Sequence, residues 1–339
     1  TLPIQMNWGA NDTLIELTPE QLLDGSCESI IGCNIMEEES LIYQQVLTDC
    51  VKVLLFRMDT GGVKAKLTLN TLTATAKYAG TAGNKIAVSI VENGSNFDVI
   101  TSFNGAVVDT QTGALVGDIV DNDFVDFSGT STAALVADAG GELEDGENGT
   151  VVNSTYSKYF DLLKTAKWNT LGIPLETSTE IQAQLKTFIK YMRDTVGTKV
   201  QAVANNIDAD TEGIISTLNQ GYKSDQYNIT IPMFVARVTG MTAGCAINKS
   251  LTYYAFEDAN EIIGQLSHEE IVSALQSGKF VLSARQDGVV VVEQDINTLH
   301  TFTSQKDYSF SKNRVIRTID QINNLSLIHI SEPTRQAEI

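Results

Sequence analysis

Ser40-Leu-Ile-Tyr-Gln-Gln-Val-Leu-Thr-Asp-Cys50 runs without a break into Val51-Lys-Val-Leu-Leu-Phe56, and this junction decides the fold class. The first stretch carries Ile42, Val46, Leu47 and Cys50 on one side of a helix. The second is a short apolar run of the buried-strand kind. A helix delivered into a buried strand is how an α/β sheet is built. Upstream, Thr18-Pro19-Glu20-Gln21 is a capping box with proline at the first helical position, followed by Leu22 and Leu23.

The texture changes at Val63. From there to about Gly149 the chain is rich in Thr, Val, Gly, Asn and Asp and shows no helical period. Val99-Ile-Thr-Ser-Phe103, Asn104-Gly105 and Ala106-Val-Val-Asp109 predict a hairpin, because Asn-Gly readily takes the positive φ angles of a two-residue turn. Asn93-Gly94 predicts a second turn just upstream, and Asp138–Gly149 is a polar, glycine-rich exit. Residues 64–147 are therefore expected to form an inserted all-β domain.

After it the α/β grammar returns. Tyr156, Phe160, Leu163 and Ala166 line a helical face, and Thr170-Leu-Gly-Ile-Pro174 follows as a strand. Ile181, Leu185, Phe188, Ile189 and Met192 predict a helix ended by Gly197, then a strand over Lys199–Ala204. Ser267-His-Glu-Glu270 is another capping box, and Gly278 closes its helix. Lys279–Gln286, Asp287-Gly288 and Val289–Ile296 predict a hairpin of strands covered on both faces. The fold class is thus mixed α/β: one core of residues 1–63 and 148–310, interrupted by the β-rich insertion.

The 339 residues carry a net charge of −19 and are 42% hydrophobic, the profile of a packed chain and not a disordered one. No run of about 18 apolar residues exists to cross a membrane. The opening TLPIQMNWGA lacks the regions of a signal peptide and reads as a start within a domain. Lys312, Arg314 and Arg317 form the only basic stretch, so direct nucleic-acid binding is not expected. Cys27, Cys33, Cys50 and Cys245 match no zinc spacing and read as packed, reduced thiols.

Catalytic, cofactor-binding and metal-binding residues are all expected to be absent, as are cofactors. There is no G-x-S-x-G, no Walker loop and no H-E-x-x-H. Tyr78-Ala-Gly-Thr-Ala-Gly-Asn84 comes nearest to a phosphate cradle, but it lacks the Gly-Lys-Ser/Thr ending and reads as a structural turn. Asp287, Glu293 and Asp295 could be cast as acid and base. Asp287 is needed by its turn, however, and the other two suit a polar rim or an interface. His268 and His300 read as surface histidines. The triplets Asn228-Ile-Thr230 and Asn248-Lys-Ser250 are expected by chance in so Asn- and Thr-rich a chain.

Three ordered stretches carry a family resemblance. Leu2-Pro-Ile-Gln-Met-Asn-Trp-Gly9 is an apolar run ending in Trp-Gly, and Leu72-Thr-Ala-Thr-Ala-Lys-Tyr-Ala-Gly-Thr-Ala-Gly-Asn84 lies at the entry to the β insertion. Phe280-Val-Leu-Ser-Ala-Arg-Gln-Asp-Gly-Val-Val-Val-Val-Glu-Gln-Asp-Ile-Asn297 is followed by Phe310-Ser-Lys-Asn-Arg-Val-Ile-Arg317. Over residues 1–324 the chain resembles the tail sheath proteins of contractile phage-type tails. The resemblance implies a structural subunit, not an enzyme, that polymerises helically around a tail tube and contracts to drive the tube through a cell envelope. It implies self-association by strand exchange between neighbours. The implied partners are a tail tube protein and baseplate and tail terminator proteins, with no membrane insertion. The implied location is the tail of a virion or tailocin, assembled in the host cytoplasm. It also implies that 64–147 protrudes and that 311–324 begins a C-terminal sheath domain largely missing here, with arms lost at both ends. Leu325–Ile339 resembles a translated sequencing adapter and is set aside as a non-native tail.

Two other readings remain. A β-rich surface or adhesion module would account for the Thr/Asn-rich insertion. A doubly wound α/β enzyme would need a cofactor loop at Asp59-Thr-Gly-Gly-Val63.

Overall fold

The computed structural model describes residues 1–175 and 178–331, with side chains as far as Leu325. The chain forms two compact units. One gathers Thr1–Pro3, Leu41–Leu54 and the described residues from Phe160 on; the other gathers Ile4–Ser40 and Leu55–Tyr159.

In the first unit, strands Thr170–Ile173, Gln201–Asn205, Ile214–Thr217 and Lys279–Phe280 pair in parallel in that order, which is also their order in sequence. The first three are buried almost throughout, as a parallel sheet covered on both faces requires. The return from Asn205 to Ile214 uses only residues 206–213 and no helix. Asn206 and Asp210, at φ 45° and 44°, supply the left-handed turns that double the chain back.

Against this sheet lies the helix Ile231–Gly244, buried without interruption from Phe234 to Thr242. Glycines set how near its neighbours come. A Cβ on Gly172 would stand 2.3 Å from Thr239 Oγ1, one on Gly240 would stand 2.1 Å from the Val46 carbonyl oxygen, and one on Gly244 1.7 Å from that of Asp49. Gly240 and Gly244 are one helical turn apart, so the helix Leu41–Leu47 packs on a strip of bare backbone. Phe234, Tyr222, Phe256 and Val290 fill the core beside it.

The expected hairpin over 279–296 divides in two. Lys279–Phe280 completes the parallel sheet, and only Leu282–Ala284 turns back to pair with Val290–Val292. Its turn is centred one residue earlier than expected. Gly288 N–H donates to the Arg285 carbonyl at 2.9 Å, so Gln286 and Asp287 occupy the turn. Gly288, at φ 84°, takes the left-handed position after it.

The second unit holds two antiparallel sheets. One orders Asp138–Glu142, Ile86–Asn93, Asn96–Phe103 and Ala106–Gly113; the other orders Val125–Ser128, Leu72–Ala76 and Lys66–Leu69. Leu72, Ala74 and Ala76 point inward while Thr73 and Thr75 alternate with them, and Ile86, Val88 and Ile90 do the same. Asn104 and Gly105 form the predicted turn at φ 50° and 79°. The upstream turn is Gly94-Ser95, one residue later than expected, because Asn93 pairs with Asn96. Trp8 belongs to this core although it lies far before the sheets in sequence; its ring stands edge-on to Tyr78 at 5.1 Å.

The chain enters and leaves this β region as a paired stem. Asp59–Thr60 pairs with Thr150–Val151, and bridges link Val63 to Glu147 and Lys66 to Glu144. Arg57 locks the stem from beneath. Its guanidinium donates to Asp59 Oδ2 at 2.6 and 2.9 Å and to the carbonyls of Gly9 and Ala79 at 2.9 and 2.8 Å. The Met6 N–H fills Asp59 Oδ1. Both side chains are buried with every charge answered.

The helix that follows residue 311 begins at Asn313 and continues to Ser331, across the expected boundary at 324. Residues 332–339 of the expected tail lie outside the described residues.

The close approach at Gly240 leads to a sharp expectation. Gly240→Val should lower unfolding free energy by about 3 kcal/mol or more, because the Val46 backbone cannot retreat without lifting a helix. Urea denaturation measures it, and a loss below about 1 kcal/mol would contradict the packing described.

Candidate functional site

The densest polar constellation in the first unit runs along the helix Asn313–Ser331. Asp295, buried to 2% exposure, anchors it. Its Oδ2 accepts from Arg317 Nη2 at 2.6 Å and from the Leu251 N–H at 3.0 Å, and its Oδ1 from Asn313 Nδ2 at 2.9 Å. One turn further on, Asp320 takes both arms of Arg193 at 2.7 and 2.9 Å. Arg193 sits where the helix Thr179–Lys190 widens into the π-helical segment Tyr191–Val196, which ends at Gly197 with φ 89°. The Asn324 amide closes the row, donating to the Lys199 carbonyl and accepting its N–H at 2.9 and 2.8 Å. Apolar burial on the helix is slight by comparison; among its described side chains Ile316 is the buried hydrophobe.

These carboxylates fasten elements together. Both oxygens of Asp295 are engaged in these bonds and its side chain is buried. Glu293 instead accepts from the Ser283 hydroxyl at 2.5 Å, and Asp287 is exposed and paired with Arg285 at 2.9 Å. The three acids that the sequence grouped therefore serve three separate contacts. His268 is exposed at the first position of its capped helix. His300 is half-buried, its Nδ1 2.9 Å from the Thr298 carbonyl. The basic stretch 312–317 also divides: Arg317 turns inward while Arg314 stays exposed. The Arg–Asp pairs were missed in the sequence because their partners lie 22 and 127 residues apart.

The glycines of the loop Tyr78–Asn84 have their backbone N–H groups committed within the fold, not turned toward a phosphate. The N–H groups of Gly80, Thr81, Ala82 and Gly83 go to the Val63 carbonyl, Asn148 Oδ1, the Asn7 carbonyl and the Gly80 carbonyl. At Asp59–Val63, where an enzyme would need a cofactor loop, the backbone is committed to the stem. The parallel sheet also runs in sequence order, so it lacks the reversal at which doubly wound folds open a ligand crevice. Cys27 and Cys33 are buried, and burial pushes their thiols up to about 11 and about 12, which keeps them unreactive. Cys50 and Cys245 are half-buried, and all four are free thiols.

Residues 60–148 match the phage tail sheath protein beta-sandwich domain, and residues 149–298 match the phage tail sheath protein central domain. The crystal structure of the sheath tail protein from Desulfitobacterium hafniense superposes with a TM-score of 0.89 at 36% identity, covering 98% of this chain and 79% of that one. This chain belongs to the phage tail sheath family. The sheath tail protein of Listeria innocua gives a TM-score of 0.87 at 32% identity, over 95% of this chain and 74% of that one. Protein XkdK of the phage-like element PBSX in Bacillus subtilis (strain 168) is 32% identical over 344 residues, 95% of this chain and 73% of its own. The mixed α/β fold with its β-sandwich is thus a sheath fold, and the sheath chain is a structural component of a tail particle. The adhesion-module reading gives way to that membership.

Two measurements test the seam. Asp295→Ala should cost about 3–5 kcal/mol, because it strands the Arg317 charge in a buried position. A loss of under 1 kcal/mol in chemical denaturation would show the seam to be dispensable.

The second test is acid titration. Burial pushes Glu212 up, but its bond to Lys306, with Arg193 near, outweighs this and leaves it below the ordinary 4.5. Asp210 is likewise lowered, its burial outweighed by the N–H groups of His300 and Thr301. A depressed carboxyl stabilises the fold above its unfolded value, and that stabilisation is lost as pH falls through the folded value. For Asp320, burial outweighs Arg193 and raises it above 3.8, so its contribution runs the other way and blunts the loss. The melting temperature should fall between pH 4.5 and 3; a flat profile there would contradict these assignments.

Proposed function

We propose that this sheath chain polymerises helically around a tail tube and contracts to drive the tube through a cell envelope. The family membership carries the reading, and the architecture supports it. The charge of −19 keeps a concentrated subunit soluble before assembly. The edge of the parallel sheet accepts chain by main-chain bonds: Thr1 N–H donates to the Thr170 carbonyl at 2.7 Å, and Gly172 N–H to that of Thr1 at 2.9 Å. Strand exchange between neighbouring subunits would use the same bonding.

In this reading residues 64–147 are the protruding domain and 311–324 lead into a C-terminal sheath domain. The partners are further copies of the chain, a tail tube protein, and baseplate and tail terminator proteins. Nucleic acid and membrane are not contacted directly. Free energy for contraction is stored in the extended lattice, so the reading calls for neither nucleotide nor metal, and assembly takes place in the host cytoplasm.

Electron microscopy of the full protein, alone and coexpressed with a tail tube protein, tests this. Tubes of regular helical repeat are expected, wider where a tube runs inside. Persistent monomers in both preparations would overturn the proposal.

A further inference from the structure

One face of the helix Asn313–Ser331 lies beside a basic rim. Val315, Ile319 and Ile322 recur at the four- and three-residue spacing of a single helical face. Val315 and Ile319 are half-buried, and Ile322 is 60% exposed. Val315 and Ile319 floor a groove of about 480 Å³, walled by Ser250 and Thr252 and by Lys312 and Arg314. Lys312 Nζ stands 4.6 Å over the Tyr308 ring and donates to Gln294 Oε1 at 2.8 Å. Arg314 is exposed, and neither it nor Lys312 has an ion-pair partner among the described residues. The acid at the base of the groove, Asp295, is already neutralised by Arg317. On a molecule of charge −19 this is an apolar floor with a positive edge.

Its complement is displayed elsewhere on the same chain. In the turn Ile35-Met-Glu-Glu-Glu39, Met36 is 83% exposed. The turn is held stiffly from within. Asn34 Oδ1 accepts the Met36 N–H at 2.9 Å, Glu37 accepts the Asn34 N–H at 3.1 Å, and Lys85 and Asn104 pin the Glu37 carboxylate. Glu38 and Glu39 beside it are exposed, without an ion-pair partner among the described residues. A fixed apolar knob flanked by two free carboxylates matches an apolar floor flanked by free cations. Such a turn loses little freedom on docking.

We propose that the groove at Val315 and Ile319 receives the Met36–Glu39 turn of a second copy of this chain, with Glu38 and Glu39 facing Arg314 and Lys312. This rests on the polymerisation reading and names a surface for it. The two patches differ, so the contact is head-to-tail and propagates into an open array instead of closing as a symmetric dimer. The paired charges would speed encounter and fix register more than they add affinity.

The test is charge reversal in the full chain, read by sedimentation velocity across protein concentration at 0.15 M salt. Arg314→Glu should fold normally, since an acidic residue suits the first turn of a helix. It and Glu38→Arg/Glu39→Arg should each weaken self-association by about tenfold or more, and Met36→Ala should weaken it as well. Combining the Arg314 and glutamate reversals should return association to within about threefold of the parent. Single reversals that assemble like the parent, or a combination that fails to recover, overturn the groove while leaving polymerisation standing. A parent chain that never associates removes both.

Discussion

The central constraint in the α/β unit is how closely backbone can approach backbone along the helix Ile231–Gly244. The unit is assembled from separate pieces of sequence, and Leu41–Leu54 reaches it before the chain departs for the β region. That early piece is retained by contact of bare backbone, where Gly240 and Gly244 admit the Val46 and Asp49 carbonyls; Gly172 separately admits the Thr239 side chain between strand and helix. Dispersion at such short range requires the smallest side chains, and no larger residue could replace the glycines without separating helix from helix. The parallel sheet, the aromatic core around Tyr222 and Phe256, and the seam on the C-terminal helix all build on that assembled body.

Polar groups then give the unit its specificity. Buried ion pairs such as Asp295–Arg317 and Arg193–Asp320 gain little net energy over apolar packing of equal volume, but breaking one is costly. They accordingly define where the last helix lies more than how strongly it is held. Among its described side chains Ile316 is the buried hydrophobe, and over that stretch matched charges and amides hold the helix. In the second unit Arg57 and Asp59 have the same character, joining residues 6–9, the stem and Ala79 at one point.

Much of this was legible in the residues. The helix-to-strand passage at Ser40–Phe56, the capping boxes at Thr18 and Ser267, and the Asn104-Gly105 turn all depend on short-range chemistry, and each formed. Residues 205–266 were not legible. Their helix is buried all round from Phe234 to Thr242, so no polar face marks its period, and Arg237 in its midst masks the apolar run. The turns at Gly94-Ser95 and Gln286-Asp287 moved by one residue because strand register, set by partners across the sheet, outweighs the local dipeptide. The seam was hidden for a related reason: a lone Asp and a distant Arg carry no local sign of meeting. Arg317 stands in sequence beside Lys312 and Arg314, as one more member of a basic stretch.

The paired stem at Asp59–Lys66 and Glu144–Val151 has a consequence for how such a chain can change over time. Residues paired across antiparallel strands stand about 5 Å apart, so the two ends of the sandwich are already joined whatever lies between them. Lengthening or replacing the intervening sequence adds only slowly to the entropy of closing that loop. The stem thus works as a docking port, through which lineages could exchange the β region while keeping the α/β body unchanged. The limit on that freedom is Trp8, whose place in the sandwich core requires any newcomer to offer a pocket of matching shape.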